Sequence, residues 1–128
     1  EVTVGLLPLL GGTQRLVARC GIARAKEMAM SGRRMDPSTL QQWGIVNLVV
    51  PEAELGNATL SWAQQLAAGP IAIRGVKQQA NLASRGGIGA ADAQQLAINE
   101  ACWDSADRQR GISAFFATGP ASGVYEGN

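Results

Sequence analysis

The sequence predicts a mostly α-helical chain with one or two short strands. Three observations carry this. Runs of strong helix formers recur between Gly and Pro breaks. Residues that cap helices stand ahead of several of these runs. Only one stretch, Ile45–Val50, is β-branched and bounded like a strand, by Gly44 and Pro51.

Residues 1–10 are apolar but short, and Pro8 breaks them. Gly11-Gly12 marks a turn, and Thr13 is the expected N-cap of a helix over Gln14–Arg19 that ends at Cys20-Gly21. Ile22–Met30 continues in strong helix formers and closes at Ser31-Gly32. Asp36 is placed to cap the next helix, with Pro37 in the first position and the end at Gly44. After Ile45–Val50, Pro51 opens a helical region. Over Ala58–Ala68, Leu60, Ala63, Leu66 and Ala67 fall on one face. Gly69-Pro70 is a break. Ile71–Arg85 reads as a helix with Ile73, Val76 and Leu82 inward, Gly86–Gly89 as a flexible turn, and Ala90–Trp103 as a long helix. Asp107 is the expected cap of the last helix, Arg108–Phe116, and Thr118–Asn128 reads as irregular. There is no internal repeat. A lone strand cannot satisfy its backbone groups, so Ile45–Val50 is expected to pair with a strand from elsewhere.

A chain of 128 residues fits one domain, and 46% apolar with 16% charged residues is a globular composition. Eleven basic against ten acidic residues give a net charge of +1, which indicates neither a nucleic-acid nor a membrane partner. With no histidine, a His-based triad and a His-ligated metal are excluded within this chain. Cys20 and Cys102 make no disulfide framework and no metal site; they read as small buried helix residues in a reducing, cytoplasmic setting. Trp43, Trp62 and Trp103 read as core or interface anchors.

Five blocks, in order, resemble the enoyl-CoA hydratase/isomerase (crotonase) family. These are EVTVGLLPLLGGTQRL, AKEMAMSGRRMD, WGIVNLVVP, GPIAIRGVKQQAN and ADRQRGISAFF. The resemblance covers nearly the whole chain, yet family members are about twice as long. It implies the C-terminal half of the crotonase-like α/β spiral fold. Residues 1–50 would be the end of the core and 51–128 a helical region that covers the active site and forms a trimer or dimer of trimers. It also implies an acyl-CoA substrate and no cofactor other than the coenzyme A of that substrate. The N-terminal half of the fold, with the oxyanion-hole amides and a second glutamate, is expected upstream.

Hydration of a 2-enoyl thioester needs donors for the enolate oxygen and carboxyl groups that orient water and deliver a proton to the α-carbon. By resemblance Glu1 is one of those catalytic carboxyls. The residue after Pro8 is usually a glycine whose N–H holds the water; here it is Leu9, followed by Leu10, whose side chains narrow the pocket. That departure leaves isomerisation, other enolate chemistry and an inactive assembly module as alternatives. Phe115 matches a phenylalanine that lies against coenzyme A, but Thr118, Gly119 and Pro120 stand where basic residues are usual. Arg110 likewise replaces a usual glutamate. Arg15 is expected to pair with a carboxylate or a chain terminus.

Overall fold

The computed structural model describes all 128 residues. It contains six α-helices: α1 Gly12–Ser31, α2 Pro37–Gln42, α3 Leu55–Ala67, α4 Ala72–Gly86, α5 Ile88–Trp103 and α6 Ala106–Thr118. Single 3-10 turns at Val2–Val4 and Glu52–Glu54 precede α1 and α3. The mostly helical class is as predicted, but no strand forms. Ile45–Val50 is irregular. Its amides at Ile45 and Val46 turn back to the Leu40 carbonyl (2.9 and 3.5 Å), because no second strand in the chain offers a ladder. No helix is long and apolar enough to cross a membrane.

The chain divides into two compact units, Glu1–Leu55 and Gly56–Asn128. In the first, α1 is two helical segments joined at Gly21, whose φ 78 and ψ 165 lie outside the helical region. This is the predicted break. Asp36 caps α2 as predicted: its carboxylate accepts the amides of Ser38 (3.0 Å) and Thr39 (3.3 Å). The Ser38 hydroxyl first, and then these amides, hold the Asp36 carboxyl below its ordinary range. Arg24 lies over the Trp43 ring at 5.3 Å.

In the second unit α4 and α5 form an antiparallel hairpin. Gly87, at φ 81 and ψ 170, makes the sharp connection. Gly75 lets the two helices approach: a Cβ there would stand 3.2 Å from Ile98 Cγ2 and 3.4 Å from Cys102 Sγ. Ile73 and Leu82 are half-buried, but Val76 is 65% exposed, contrary to expectation. The seam runs through Gly75 and turns Val76 to the rim of an open groove beside Ala80 and Ile88. The apolar face expected on α3 is also uncovered, with Leu60 58% and Leu66 51% exposed.

Both cysteines are free, half-buried helix residues. Their thiols donate one turn back, Cys20 to the Leu16 carbonyl and Cys102 to that of Ile98. Ala25 and Ile98 are the only buried hydrophobic residues. The accessible surface is 9758 Å2 for 13.3 kDa, whereas two separate globules of half that mass would together expose about 7,800 Å2. Large apolar side chains contribute to the excess, among them Leu10 at 97%, Leu96 at 85% and Phe116 at 82% exposed.

Candidate active-site segment

Glu1 stands at the foot of a hydrogen-bonded turn. Its carbonyl accepts the amides of Val4 and Leu6, each at 3.0 Å, and Val2 accepts that of Gly5 at 3.1 Å. Gly5, at φ 77, supplies the left-handed residue that closes the turn. The turn lies against the far end of α1. A Cβ on Gly32 would stand 2.9 Å from Val2 Cγ1 and 2.6 Å from Thr3 Cγ2, so only glycine permits this approach. The Glu1 side chain is exposed and makes no capping bond.

The chain then reverses at Leu9–Gly12. Leu10 (φ 58) and Gly11 (φ 84) are both left-handed, and Gly12 N–H donates to the Leu9 carbonyl at 3.4 Å. Positive φ at both central residues is the pattern of a type I′ turn. Gly11 suits it; Leu10 does so against its steric preference. The Arg15 guanidinium donates to the Leu10 carbonyl at 2.6 Å and so braces the turn. Arg15 therefore pairs with a backbone carbonyl, not with the carboxylate or terminus expected for it. Leu9 N–H donates to no protein acceptor. The side chains of Leu9 and Leu10 are 72% and 97% exposed. Thr13 is not the cap: Gly11 holds that position, and the Thr13 hydroxyl sits buried inside the first turn of α1 without a partner.

Glu1, Leu9 and Leu10 thus share the first unit, and Phe115 belongs to the second. Phe115 packs edge-on against Phe116 (5.6 Å between centroids, 79°) and is 54% exposed. Its carbonyl accepts Gly119 N–H at 2.9 Å, which ends α6. The segment beyond is irregular, as expected, but it is tied down.

The residue that ties it is Asp107, which sequence reasoning placed in a capping role. Ser105 is the cap instead: its hydroxyl accepts Arg108 N–H at 3.1 Å. Asp107, only 1% exposed, lies inside the first turn of α6. Its Oδ1 accepts Glu126 N–H and Arg110 Nη1, both at 3.0 Å. Its Oδ2 accepts Ile71 N–H at 3.0 Å and Gly127 N–H at 2.9 Å. Burial pushes this carboxyl up, but the bonds from Glu126, Ile71, Arg110 and Gly127 outweigh it and hold the group below its ordinary range. Arg110 also holds Glu126 (2.6 Å) and Asn128 (2.9 Å), and Arg74 donates to the Gly127 carbonyl (3.0 Å). A basic residue at position 110 is thus matched by an acidic one in the tail.

The sequence pattern of the family described as "Enoyl-CoA hydratase/isomerase" matches residues 1–122. "Enoyl-CoA hydratase domain-containing protein 2, mitochondrial" of Bos taurus is 40% identical over 124 aligned residues, covering 90% of this chain and 40% of its own. The "2,3-dehydroadipyl-CoA hydratase" of Escherichia coli is 34% identical over 120, covering 90% of this chain and 46% of its own. Among solved structures, an enoyl-CoA hydratase subunit from Geobacillus kaustophilus superposes with a TM-score of 0.86 at 31% identity, covering all of this chain and 49% of the other. The chain spans about half the length of the relatives it matches. Block order, the braced GGTQRL turn and these matches agree: the chain belongs to the enoyl-CoA hydratase/isomerase family, and its fold is that of the mostly helical C-terminal half of a crotonase.

Proposed function

We propose that the chain is the C-terminal part of an enoyl-CoA hydratase, which adds water across the double bond of a 2-enoyl-CoA thioester. The observation that carries this reading is the held turn at Glu1. Two amides fix the Glu1 carbonyl, and Val2 and Thr3 seat the turn on Gly32. A proton donor needs such a fixed position. In this reading Glu1 delivers a proton to the α-carbon while a second carboxyl, from the remainder of the fold, orients the water whose oxygen bonds to the β-carbon. The unpaired Leu9 N–H is available to that water. Residues 1–50 serve as the end of the core, and 51–128 cover the site and mediate a trimer or dimer of trimers, with Phe115 against the coenzyme A of the substrate. No cofactor is required beyond that coenzyme A. A cytoplasmic or a mitochondrial setting is compatible with the names of the relatives.

The test is Glu1→Gln in the full-length enzyme, following loss of the enoyl-thioester absorbance across a panel of chain lengths. A fall in kcat of at least about 10²-fold with unchanged folding is expected, the low end for a general acid–base group. Near-normal turnover removes Glu1 from the mechanism. The second reading, double-bond isomerisation, is favoured by one observation: Leu9 and Leu10 present bulk where a water is to be held. Conversion of a 3-enoyl-CoA to its 2-enoyl isomer without a hydrated product decides for it.

A further inference from the structure

We propose that Arg15 is a positioning residue: it holds Leu10 in the left-handed conformation and thereby fixes the Leu9 N–H for the reacting water. This rests on the role proposed above for Leu9. Because α1 begins at Gly12, the backbone angles of Leu10 and Gly11 set the direction in which the chain meets the helix. The placing of Leu9 against α1 follows from them. Arg15 grips this turn at two points. Its own N–H donates to the Gly11 carbonyl at 3.0 Å, and its guanidinium donates to the Leu10 carbonyl at 2.6 Å. The guanidinium lies over Gly11, where a Cβ would stand 3.2 Å from Arg15 Cζ and collide with Nη1.

Two observations assign this hold to Arg15. First, Leu10 and Ala121 are the non-glycine residues at positive φ, and a leucine stays there only where its surroundings impose it. The Leu10 side chain supplies no such hold, since it is 97% exposed. Second, the Arg15 guanidinium makes the only side-chain hydrogen bond to the Leu9–Gly12 backbone. The backbone bond that closes the turn, from Gly12 N–H to the Leu9 carbonyl, is long at 3.4 Å. Without Arg15 the turn therefore relaxes toward the right-handed or extended wells that leucine prefers. The Leu9 N–H, which has no acceptor in the chain, moves with it. The water it holds then loses its line to the β-carbon, which costs rate rather than substrate affinity.

The experiment compares Arg15→Met in the full-length protein with the same change in a Leu10→Gly background. Methionine keeps the helix propensity of arginine. Glycine adopts the left-handed conformation without strain, so it needs no brace. Arg15→Met alone should lower kcat for hydration of an enoyl-CoA about 5- to 30-fold, the population shift that left-handed strain in one leucine represents, with KM changed less than about twofold. In the Leu10→Gly background the same change should cost less than about threefold. The amide resonances of Leu9, Gly11 and Gly12 should shift more on Arg15→Met alone than on the same change in that background. Equal loss of kcat in both backgrounds overturns the proposal, because Arg15 then serves α1 and not Leu10. So does unchanged turnover in Arg15→Met, or failure of both Arg15→Met proteins to fold. If Arg15→Met folds only alongside Leu10→Gly, a kcat within about threefold of Leu10→Gly supports it and a larger loss overturns it. If the unaltered protein hydrates no enoyl-CoA, the function proposed above fails by itself. The resonances then decide for Arg15: unmoved resonances in Arg15→Met overturn its hold on the turn.

Discussion

The two units hold themselves together in different ways. In Glu1–Leu55 no side-chain hydrogen bond spans more than six residues; the longest are Arg33 to Glu27 and Gln41 to Asn47. In Gly56–Asn128 such bonds cross 36 residues from Ile71 to Asp107 and 53 from Arg74 to Gly127. The first unit is a series of locally closed turns and caps. The second is cross-linked through one buried carboxylate. Neither has a deep apolar core, since each contains a single buried hydrophobic residue, Ala25 and Ile98. The difference therefore lies in polar connectivity. The segment that carries Glu1 is built from the local kind, and its contact with Gly32 ties it to the far end of α1.

Removing Asp107 should have the largest effect. Asp107→Ala leaves the part-buried amides of Ile71, Glu126 and Gly127 without an acceptor and removes one of the three acceptors of Arg110, which costs more than the net value of the bonds themselves. We expect the tail from Ser122 on to detach and α4 to lose its anchor at Ile71. Hydrogen exchange should speed at the amides of Ile71, Glu126 and Gly127 while those of α1 stay protected. Exchange rising equally in both units would break the distinction between them.

Acid should act on the same contrast. Asp107 and Asp36 both titrate below their ordinary value of 3.8 in the folded chain. A lowered folded pKa gives stability that is present above the unfolded value and lost as pH falls from it through the folded one. The loss therefore sets in as pH falls toward 3.8, where the unfolded carboxyl takes up protons, and continues below it. It should be greater in the second unit, where protonation disrupts four bonds around one group, than at the exposed Asp36 cap. Circular dichroism against pH, compared with Asp107→Asn, checks this: the variant should lose most of the acid transition.

What the sequence made legible follows the same division. Local signals were readable where local bonds decide: the Asp36–Pro37 cap, the break at Gly21 and the close of α1 at Gly32. They misled where distant groups compete. Asp107 sits in a plausible capping position, but Ser105, two residues earlier, caps α6 and frees Asp107 for Ile71 and the tail, partners that no spacing rule reveals. Thr13 gave way to Gly11 because the left-handed turn at Leu10 advances the start of α1. Ile45–Val50 has strand composition, but composition does not supply a neighbouring strand. The order of the five blocks made the family readable, and with it the candidate role of Glu1. Glu1 itself, an isolated carboxylate among apolar residues, carries no such signal alone.

Gly32→Ala sharpens the comparison at the contact that seats the Glu1 turn on α1. Alanine at φ 61 is strained, and its Cβ would collide with Val2 and Thr3. A cost of about 2 kcal/mol or more is expected from left-handed strain and overpacking together. The Val2–Val4 turn should shift, and, on the reading proposed above for Glu1, kcat of the full-length protein should fall with it. Loss of stability with normal turnover would mean that the turn does not position Glu1.

Leu10→Gly is the smallest and most discriminating change. Leucine in the left-handed region costs about 1–2 kcal/mol, and glycine removes that strain. Glycine also adds about 0.4–1 kcal/mol of unfolded-chain freedom. Because the Leu10 side chain is 97% exposed, its removal gives up almost no buried surface within the chain, and the Arg15 bond to the Leu10 carbonyl is untouched. The balance is a gain of about 0.5 kcal/mol. It should appear as a higher denaturation midpoint at unchanged denaturant slope. If instead the full-length protein loses stability, the Leu10 side chain is covered there by another part of the fold, and the turn after Pro8 depends on distant packing as Asp107 depends on distant bonds.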